Sequence, residues 1–165
     1  MASIEMKGLE SYMSRLESLN KNITGTLKRG VYDAADVVAD AVRASISALP
    51  SAADIEGLVA YAKKRPAVLT QSQKSGLLSG LYLAKMRTAG GRVDTKLTFT
   101  GYNSTKTKSY PQGQPNAMIA AAVESGSSAR RKQPFMRPTA NRVKGQAVEA
   151  MRQTIDADIK KIMEG

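Results

Sequence analysis

The sequence contains no cysteine, no histidine and no tryptophan, and only 5% of its 165 residues are aromatic. The absence of cysteine and histidine excludes disulfides, thiol nucleophiles, imidazole general bases and the usual zinc sites. No apolar run approaches the ~20 residues of a membrane-spanning helix, and the first residues lack the apolar core of a secretion signal. We therefore expect a protein assembled in the cytoplasm, without membrane association, and with a core of aliphatic side chains.

Catalytic motifs are equally scarce. The sequence has no Gly-x-x-x-x-Gly-Lys-Ser/Thr phosphate loop and no Gly-x-Gly-x-x-Gly dinucleotide motif. Glu124 is the one carboxylate in an apolar, small-residue setting, where a buried glutamate can act as a general base. Without a second acid or a metal-binding cluster, we predict instead that it forms a structural ion pair, with Arg130, Arg131 or Arg137. We expect no enzyme activity, no metal and no cofactor.

The net charge of +11 is unevenly distributed. Residues 1–49 contain six basic and six acidic side chains, whereas residues 50–126 have a net charge of +6 and residues 127–165 a net charge of +5. Such an excess suits an electrostatic face toward nucleic acid or an acidic partner. The solvated surface of an ordinary basic protein explains it equally well.

The two ends of the chain have helical periodicity. Apolar residues follow a helical stripe over residues 9–49. Asparagine and glycine between 20 and 25 weaken it, so the pattern predicts two successive helices, the second ending at Pro50. A long amphipathic helix is predicted from Pro138 onward.

Residues 50–75 are predicted to be a helical insertion followed by a loop. Ser51 and Asp54 have the spacing of a capping box, although aspartate replaces the usual glutamate or glutamine. Apolar residues then continue at helical spacing until Pro66. The polar stretch 70–75 is predicted to be the loop.

A β-hairpin is predicted over residues 81–100. Apolar and polar residues alternate from Val93 to Thr100, and more weakly from Leu81 to Thr88. Gly90 and Gly91 between these stretches are a turn signal. Because a hairpin alone is marginally stable in water, its apolar face must be covered by helices of the same chain or by strands of another subunit.

Residues 101–116, called the polar loop below, combine two tyrosines with two lysines: Tyr102, Lys106, Lys108 and Tyr110. Tyrosine interleaved with lysine is one signature of nucleic-acid contacts. Loops of this kind also form contact segments for a protein neighbour, or are merely flexible. The sequence leaves all three interpretations open.

The stretch that follows organises the C-terminal half. Asn116 is predicted to cap a short helix over residues 117–124, with Gly126 just past its end, and a strand is the alternative for this segment. Residues 127–133, called the basic loop below, carry three cations: Arg130, Arg131 and Lys132. Proline disfavours helix in the residue before it, so Pro134 and Pro138 are expected to place Phe135 on a stiff elbow.

These elements predict one α+β domain over residues 1–165, with long N- and C-terminal amphipathic helices packed on a small antiparallel sheet. We predict that Phe135 packs between the last helix and the hairpin and fixes the edge of a subunit there.

Two motifs and their spacing are distinctive: Val123-Glu124-Ser125-Gly126-Ser127, and Gln133-Pro134-Phe135-Met136-Arg137-Pro138-Thr139. They resemble the Glu-Phe-Gly-Thr and Pro-Phe-Leu-Arg-Pro-Ala elements of the phage morphogenesis family named after gene product ten of phage Hong Kong ninety-seven. The opening residues 6–10 and the segment 75–81 are similar to other parts of that family, in the same order. Ser125, Thr139 and the insertion at 50–75 depart from its pattern.

The resemblance implies a structural virion protein in the neck or tail of a tailed phage or prophage, forming a six- or twelve-fold ring around the DNA path. The implied partners are further copies of the chain, connector or stopper proteins, and tail-terminator or tail-tube proteins, with non-specific proximity to DNA. A ring uses heterologous contacts that close by rotation. We expect subunit or neighbour contacts at Glu124, Gly126, Phe135, Arg137, Pro138, Tyr102 and Tyr110. The expected contacts with the DNA path or an acidic partner are Lys106, Lys108, Arg130, Arg131 and Lys132.

The alternative function is a basic nucleic-acid-binding module that acts as a monomer or dimer. Such a module would bind DNA with at least micromolar affinity and with a steep dependence on salt. A small hydrolase is a third possibility, and its turnover would have to be lost on Glu124→Gln.

Overall fold

A computed structural model describes residues 9–52 and 68–164 of the chain. The described helices are α1 (Leu9–Ala48), α2 (Gln71–Gly80), α3 (Asn116–Ser125) and α4 (Met136–Glu164). The described strands are β1 (Ser51–Ala52), β2 (Leu69–Thr70), β3 (Leu81–Leu83), β4 (Arg87–Ala89), β5 (Arg92–Asp94) and β6 (Leu97–Phe99). The predicted α+β class, with long terminal helices on a small antiparallel sheet, is confirmed.

The N-terminal region is one helix rather than two. Helix α1 runs through 40 residues, which corresponds to a length of about 60 Å, so the predicted weak point between 20 and 25 does not interrupt it. Helix α4 lies antiparallel along α1, from a hydrogen bond between Ser45 Oγ and the Phe135 carbonyl to one between Arg15 Nη1 and the Met163 carbonyl. Packing along this length outweighs the low helix propensity of Gly25 and its neighbours.

Two short paired strands bring the chain on either side of the predicted insertion helix together. Strands β1 and β2 pair in parallel, with Ser51 opposite Leu69, and the predicted helix between them lies outside the described residues. The predicted loop over 70–75 is wrong, because α2 already begins at Gln71. A capping box starts this helix: Thr70 Oγ1 accepts from the Gln73 N–H at 3.0 Å, and Gln73 Oε1 accepts from the Thr70 N–H at 3.2 Å.

The predicted hairpin is confirmed, with one irregularity. Strand β3 pairs with β6 and strand β4 with β5, all antiparallel, and Gly90 and Gly91 form the turn with φ of +55° and +75°. Between the two paired segments, residues 84–86 lie opposite residues 95–96, so one side carries an extra residue as in a β-bulge. The hairpin is therefore two short ladders rather than two straight strands.

The core lies where the hairpin, α2, α3 and the C-terminal half of α1 meet. Phe135 is at its centre: its side chain is 2% exposed, and its ring packs edge-on against Phe99 of β6, with centroids 6.2 Å apart. The other core side chains are mainly aliphatic: Val42, Ile46, Leu49, Leu69, Leu77, Leu81, Ile119, Ala120 and Val123. The first of the two predicted covers for the hairpin, helices of the same chain, is therefore the observed one.

Phe135 packs against the hairpin as predicted, but it lies inside the subunit. A side chain that is 2% exposed offers no surface to a neighbour, so the prediction that Phe135 forms a subunit contact is wrong. The proline elbow serves the interior of the domain instead.

Phe135→Ala is expected to lower the free energy of unfolding by about 3–5 kcal/mol, because it leaves a cavity beside Phe99. Urea unfolding followed by circular dichroism measures the loss. Tyr102→Ala is the matched control, since this aromatic side chain is 72% exposed and its removal should cost less than about 0.5 kcal/mol. Similar losses for the two variants would contradict the central position of Phe135.

Candidate interface site

Helix α3 leads into the site. It is a helix, as the first of the two predictions for this segment states, and Gly126 ends it with φ of +79° while its N–H donates to the Ala122 carbonyl at 3.0 Å. The predicted cap by Asn116 is wrong, because Pro115 occupies the N-cap position and makes no side-chain cap bond. The Asn116 side chain instead points inward and donates to the Thr100 carbonyl at 2.8 Å.

The carboxylate of Glu124 binds the N-terminus of α4. Oε2 accepts from the N–H groups of Phe135 at 2.7 Å and Met136 at 2.9 Å, and Oε1 accepts from the N–H of Arg137 at 3.0 Å. The next residue, Pro138, has no N–H to satisfy. The unpaired donors that every helix presents at its start are thus met here by one side chain from another helix, and the charge suits the helix dipole.

With this geometry Glu124 acts as an anchor, meaning that its carboxylate fixes the start of α4, and it is poorly suited to be a general base. Burial opposes ionisation of the carboxyl, but the N–H groups of Met136, Phe135 and Arg137, together with the Arg137 charge, outweigh burial and hold the pKa of Glu124 below its ordinary value of 4.5. A general base at neutral pH needs the opposite shift. The predicted ion pair is corrected as well, because the hydrogen-bond partners are backbone groups and Arg137 contributes through its charge.

A cleft of about 500 Å³ opens beside the carboxylate, between the end of α3 and the start of α4. Its charged lining residues are Glu124, Lys132 and Arg137. A second hollow of about 420 Å³ adjoins it, shares Ser125 and Lys132 with it, and is lined by the basic loop. Lysine and arginine side chains around such hollows suit acidic side chains or phosphate groups.

Arg130 differs from the two cations that follow it. Its guanidinium is half-buried and donates to the Val68 carbonyl at 3.0 Å and to Gln73 Oε1 at 2.9 Å. Burial lowers the pKa of the Arg130 guanidinium below its usual range, and the group stays charged at neutral pH. Arg130 therefore ties the basic loop to the domain, while Arg131 and Lys132 remain exposed.

Gln73 joins the polar loop to the basic loop. Its side chain is 5% exposed. While Oε1 accepts from Arg130, Nε2 donates to Gln114 Oε1 at 2.7 Å. Both loops are thereby fixed to the first turn of α2. The backbone segments that carry their lysines and arginines are therefore held in place relative to each other.

Buried polar contacts hold the polar loop along its length. Asn103 Nδ2 donates to the Gln114 carbonyl at 3.0 Å, and the hydroxyls of Thr105 and Thr70 lie 3.0 Å apart. Near its tip, Thr107 and Tyr110 exchange backbone hydrogen bonds. Satisfied buried polar groups of this kind rigidify a structure. The interpretation of this segment as merely flexible is thus disfavoured, and the interpretations as nucleic-acid or protein contact remain.

All but one of the twelve predicted site residues fall into two groups. Three are used inside the domain: Glu124, Arg130 and Phe135. The others apart from Gly126, which forms the turn after α3, lie on the surface: Tyr102, Lys106, Lys108, Tyr110, Arg131, Lys132, Arg137 and Pro138. The structure brings Lys132, Arg137 and Pro138 together at one cleft, and the polar loop carries Tyr102, Lys106, Lys108 and Tyr110.

Sequence reasoning missed Gln73, which connects the two loops. A signal for it exists, because Thr70-x-x-Gln73 has the spacing of a capping box. The second role of its side chain, as acceptor for Arg130, has no signature in the sequence. Gly76, within the segment 75–81, has a further role that the sequence does not signal, because it allows Asn116 and Asn103 to approach α2 closely.

Replacement of Glu124 tests the anchor. Glu124→Ala is expected to lower the free energy of unfolding by about 1–3 kcal/mol at neutral pH, because three N–H groups lose a charged acceptor. Glu124→Gln should lose less, since its amide oxygen still accepts. Urea unfolding measures both, with Glu149→Gln on the exposed side of α4 as a control that should change little.

The same variants have a defined pH dependence. Because the pKa of Glu124 is lowered in the folded protein, its contribution is complete above the unfolded pKa and is lost as pH falls through the folded one. The stability difference between the wild type and Glu124→Gln should therefore be constant near neutral pH and shrink in the acid range below 4.5. A difference that stays constant on acidification would contradict the anchor.

Gly76→Ala tests the close packing under the polar loop. A Cβ at this position would lie 2.4 Å from Asn116 Oδ1 and 2.7 Å from Asn103 Cβ, so a loss of about 1–3 kcal/mol is expected from overpacking. Gly145→Ala in α4 is the control, because its Cβ would meet no atom within 4 Å and should stabilise the helix by about 0.5–1 kcal/mol. Thermal unfolding that ranks the two variants in the opposite order would refute the contact.

Comparisons with protein-family models, with curated proteins and with solved structures found no match for this chain. Within residues 9–52 and 68–164, no group of acidic side chains could hold a metal ion. None of the helices in this part of the chain is both long enough and apolar enough to cross a membrane.

Proposed function

We propose that this chain is a structural, non-enzymatic protein of a tailed phage or prophage that forms an oligomeric ring at the head–tail junction around the DNA path. Its partners would be further copies of itself and the adjoining ring proteins of the neck and tail. It would be assembled in the host cytoplasm and retained in the virion.

The contact between the two motifs is the observation that supports the proposal most. The resemblance to the phage family rests on Glu124-Ser125-Gly126 and on Pro134 to Pro138, which are separated by the basic loop. In the structure these segments form one unit, since the carboxylate of the first motif binds the backbone of the second. A shared physical task explains why the two motifs occur together at this spacing, which chance similarity of two short segments does not.

The distribution of charge fits a subunit that lies beside DNA. Residues 68–147, which include both loops, contain thirteen lysines and arginines against two acidic residues, Asp94 and Glu124. Contacts of lysine and arginine with phosphates are independent of base sequence. Exposed cations on the two loops would therefore tolerate passing DNA without selecting any site on it.

The same charge favours the second candidate, a basic module that binds nucleic acid on its own. Fluorescence anisotropy with short duplexes at two salt concentrations separates the candidates. A dedicated binder gives at least micromolar affinity at moderate salt and a steep salt slope. The ring protein should bind weakly, because each subunit would contribute only a few phosphate contacts. Tight binding by the isolated monomer would favour the alternative.

Location in the particle tests the proposal directly. Antibodies against the purified protein should label tailed particles from the source organism at one position, between head and tail, in immunogold electron microscopy. Antibodies raised against an unrelated cytoplasmic protein of the same host serve as the control. Absence of the chain from purified particles, or label along the whole tail, would contradict the proposed position.

A further inference from the structure

The distal halves of the two long helices form an arm, defined as residues 9–35 of α1 and 148–164 of α4. Gly30 allows the helices to approach closely, because a Cβ there would lie 2.8 Å from Ile155 Cγ1. Arg29 pairs with Asp158, with Nε 2.6 Å from Oδ2. Of the arm residues whose side chains the structure describes, only Thr26 and Gly30 are buried. Two helices alone thus leave the apolar side chains of the arm incompletely covered.

The tip of the arm is the most exposed apolar part of α1. Helix α4 ends level with Arg15, whose Nη1 donates to the Met163 carbonyl at 2.6 Å. Tyr12 and Leu16 lie at helical spacing from Leu19, so they continue the stripe beyond the end of α4. Together with Met13 they form the tip patch, with exposed fractions of 51% for Tyr12, 54% for Met13 and 42% for Leu16.

The charge of the arm differs from that of the rest of the protein. Its two helical segments contain seven basic and seven acidic residues, so the arm has no net charge. Residues 68–147 alone carry a net charge of +11. Two copies that met through that region would repel each other, whereas two arms can meet without such a penalty. A nucleic acid, conversely, finds no attraction on the arm.

We propose that the arm is a self-association surface, and that the tip patch of Tyr12, Met13 and Leu16 is covered by the arm of a second copy of this chain. Neutral surfaces with interspersed charges and an exposed apolar stripe are suited to helix–helix association. Side-by-side arms would complete the partial burial that two helices provide. The polar loop and the basic loop, at the other end of the molecule, then remain free of the contact. Self-association belongs to the chain itself and rests on the proposed function only where the copies close into a ring.

Replacement of the tip patch by glutamine tests the surface without altering charge or helix propensity much. The variant Tyr12→Gln/Met13→Gln/Leu16→Gln should weaken self-association at least about tenfold in sedimentation equilibrium, which corresponds to about 1.4 kcal/mol. Its thermal midpoint should stay close to that of the wild type, since the patch is exposed. Tyr82→Gln, at an exposed aromatic position outside the arm, is the matched control and should associate as the wild type does.

The salt dependence of association and cross-linking through a single introduced cysteine test whether a second copy of the chain covers the tip patch. Higher salt should leave association unchanged or strengthen it, because it screens repulsion between the basic regions. Since the chain has no cysteine, Met13→Cys can be cross-linked with a short bismaleimide and should yield a covalent dimer. Thr88→Cys, at an exposed position of the hairpin, should not.

Three results would overturn the inference. A wild type that stays monomeric at about 100 μM protein would show that no second copy binds. Unchanged association of the glutamine variant would place the contact elsewhere. Self-association that first appears when residues 1–8 are deleted would show that the chain's own N-terminal segment covers the patch. The proposed function would survive the second result if particles still carry the chain at the neck, so the two failures can be told apart.

Discussion

The contact between the Glu124 carboxylate and the first backbone N–H groups of α4 determines how the C-terminal half of the chain is arranged. It joins the end of α3 to the start of α4 across the basic loop. Because Phe135 supplies one of the three N–H groups, the same contact sets its ring against Phe99 in the core. The prolines on either side restrict the backbone there, so position and direction of α4 are fixed together.

The remaining polar contacts extend this arrangement to the surface. Arg130 and Gln73 link the basic loop to α2, and Gln73 links α2 to the polar loop. The other cations of the two loops, which make none of these hydrogen bonds, remain exposed on loops that are fixed to the domain. The result is a basic domain at one end of the molecule and a two-helix arm without net charge at the other, so the exposed cations and the exposed apolar tip patch lie on separate surfaces.

Periodicity predicted the α+β class, the hairpin with its Gly90-Gly91 turn and the long final helix, because these depend on local patterns. The two errors in helix extent have different causes. The join of the N-terminal helices depends on packing against α4, which lies more than a hundred residues away in the chain, whereas the start of α2 was signalled by Thr70 and Gln73. The role of Glu124 was not predictable, since a carboxylate that caps another helix has no fixed spacing from its partners.

The titration of Glu124 by nuclear magnetic resonance tests the central contact most directly. The side-chain carboxyl carbon reports ionisation, and the amide protons of Phe135, Met136 and Arg137 report the hydrogen bonds. The contact predicts a pKa below the ordinary 4.5 for Glu124, with the three amide signals shifting along the same curve. An ordinary pKa together with amide signals that ignore the titration would contradict it.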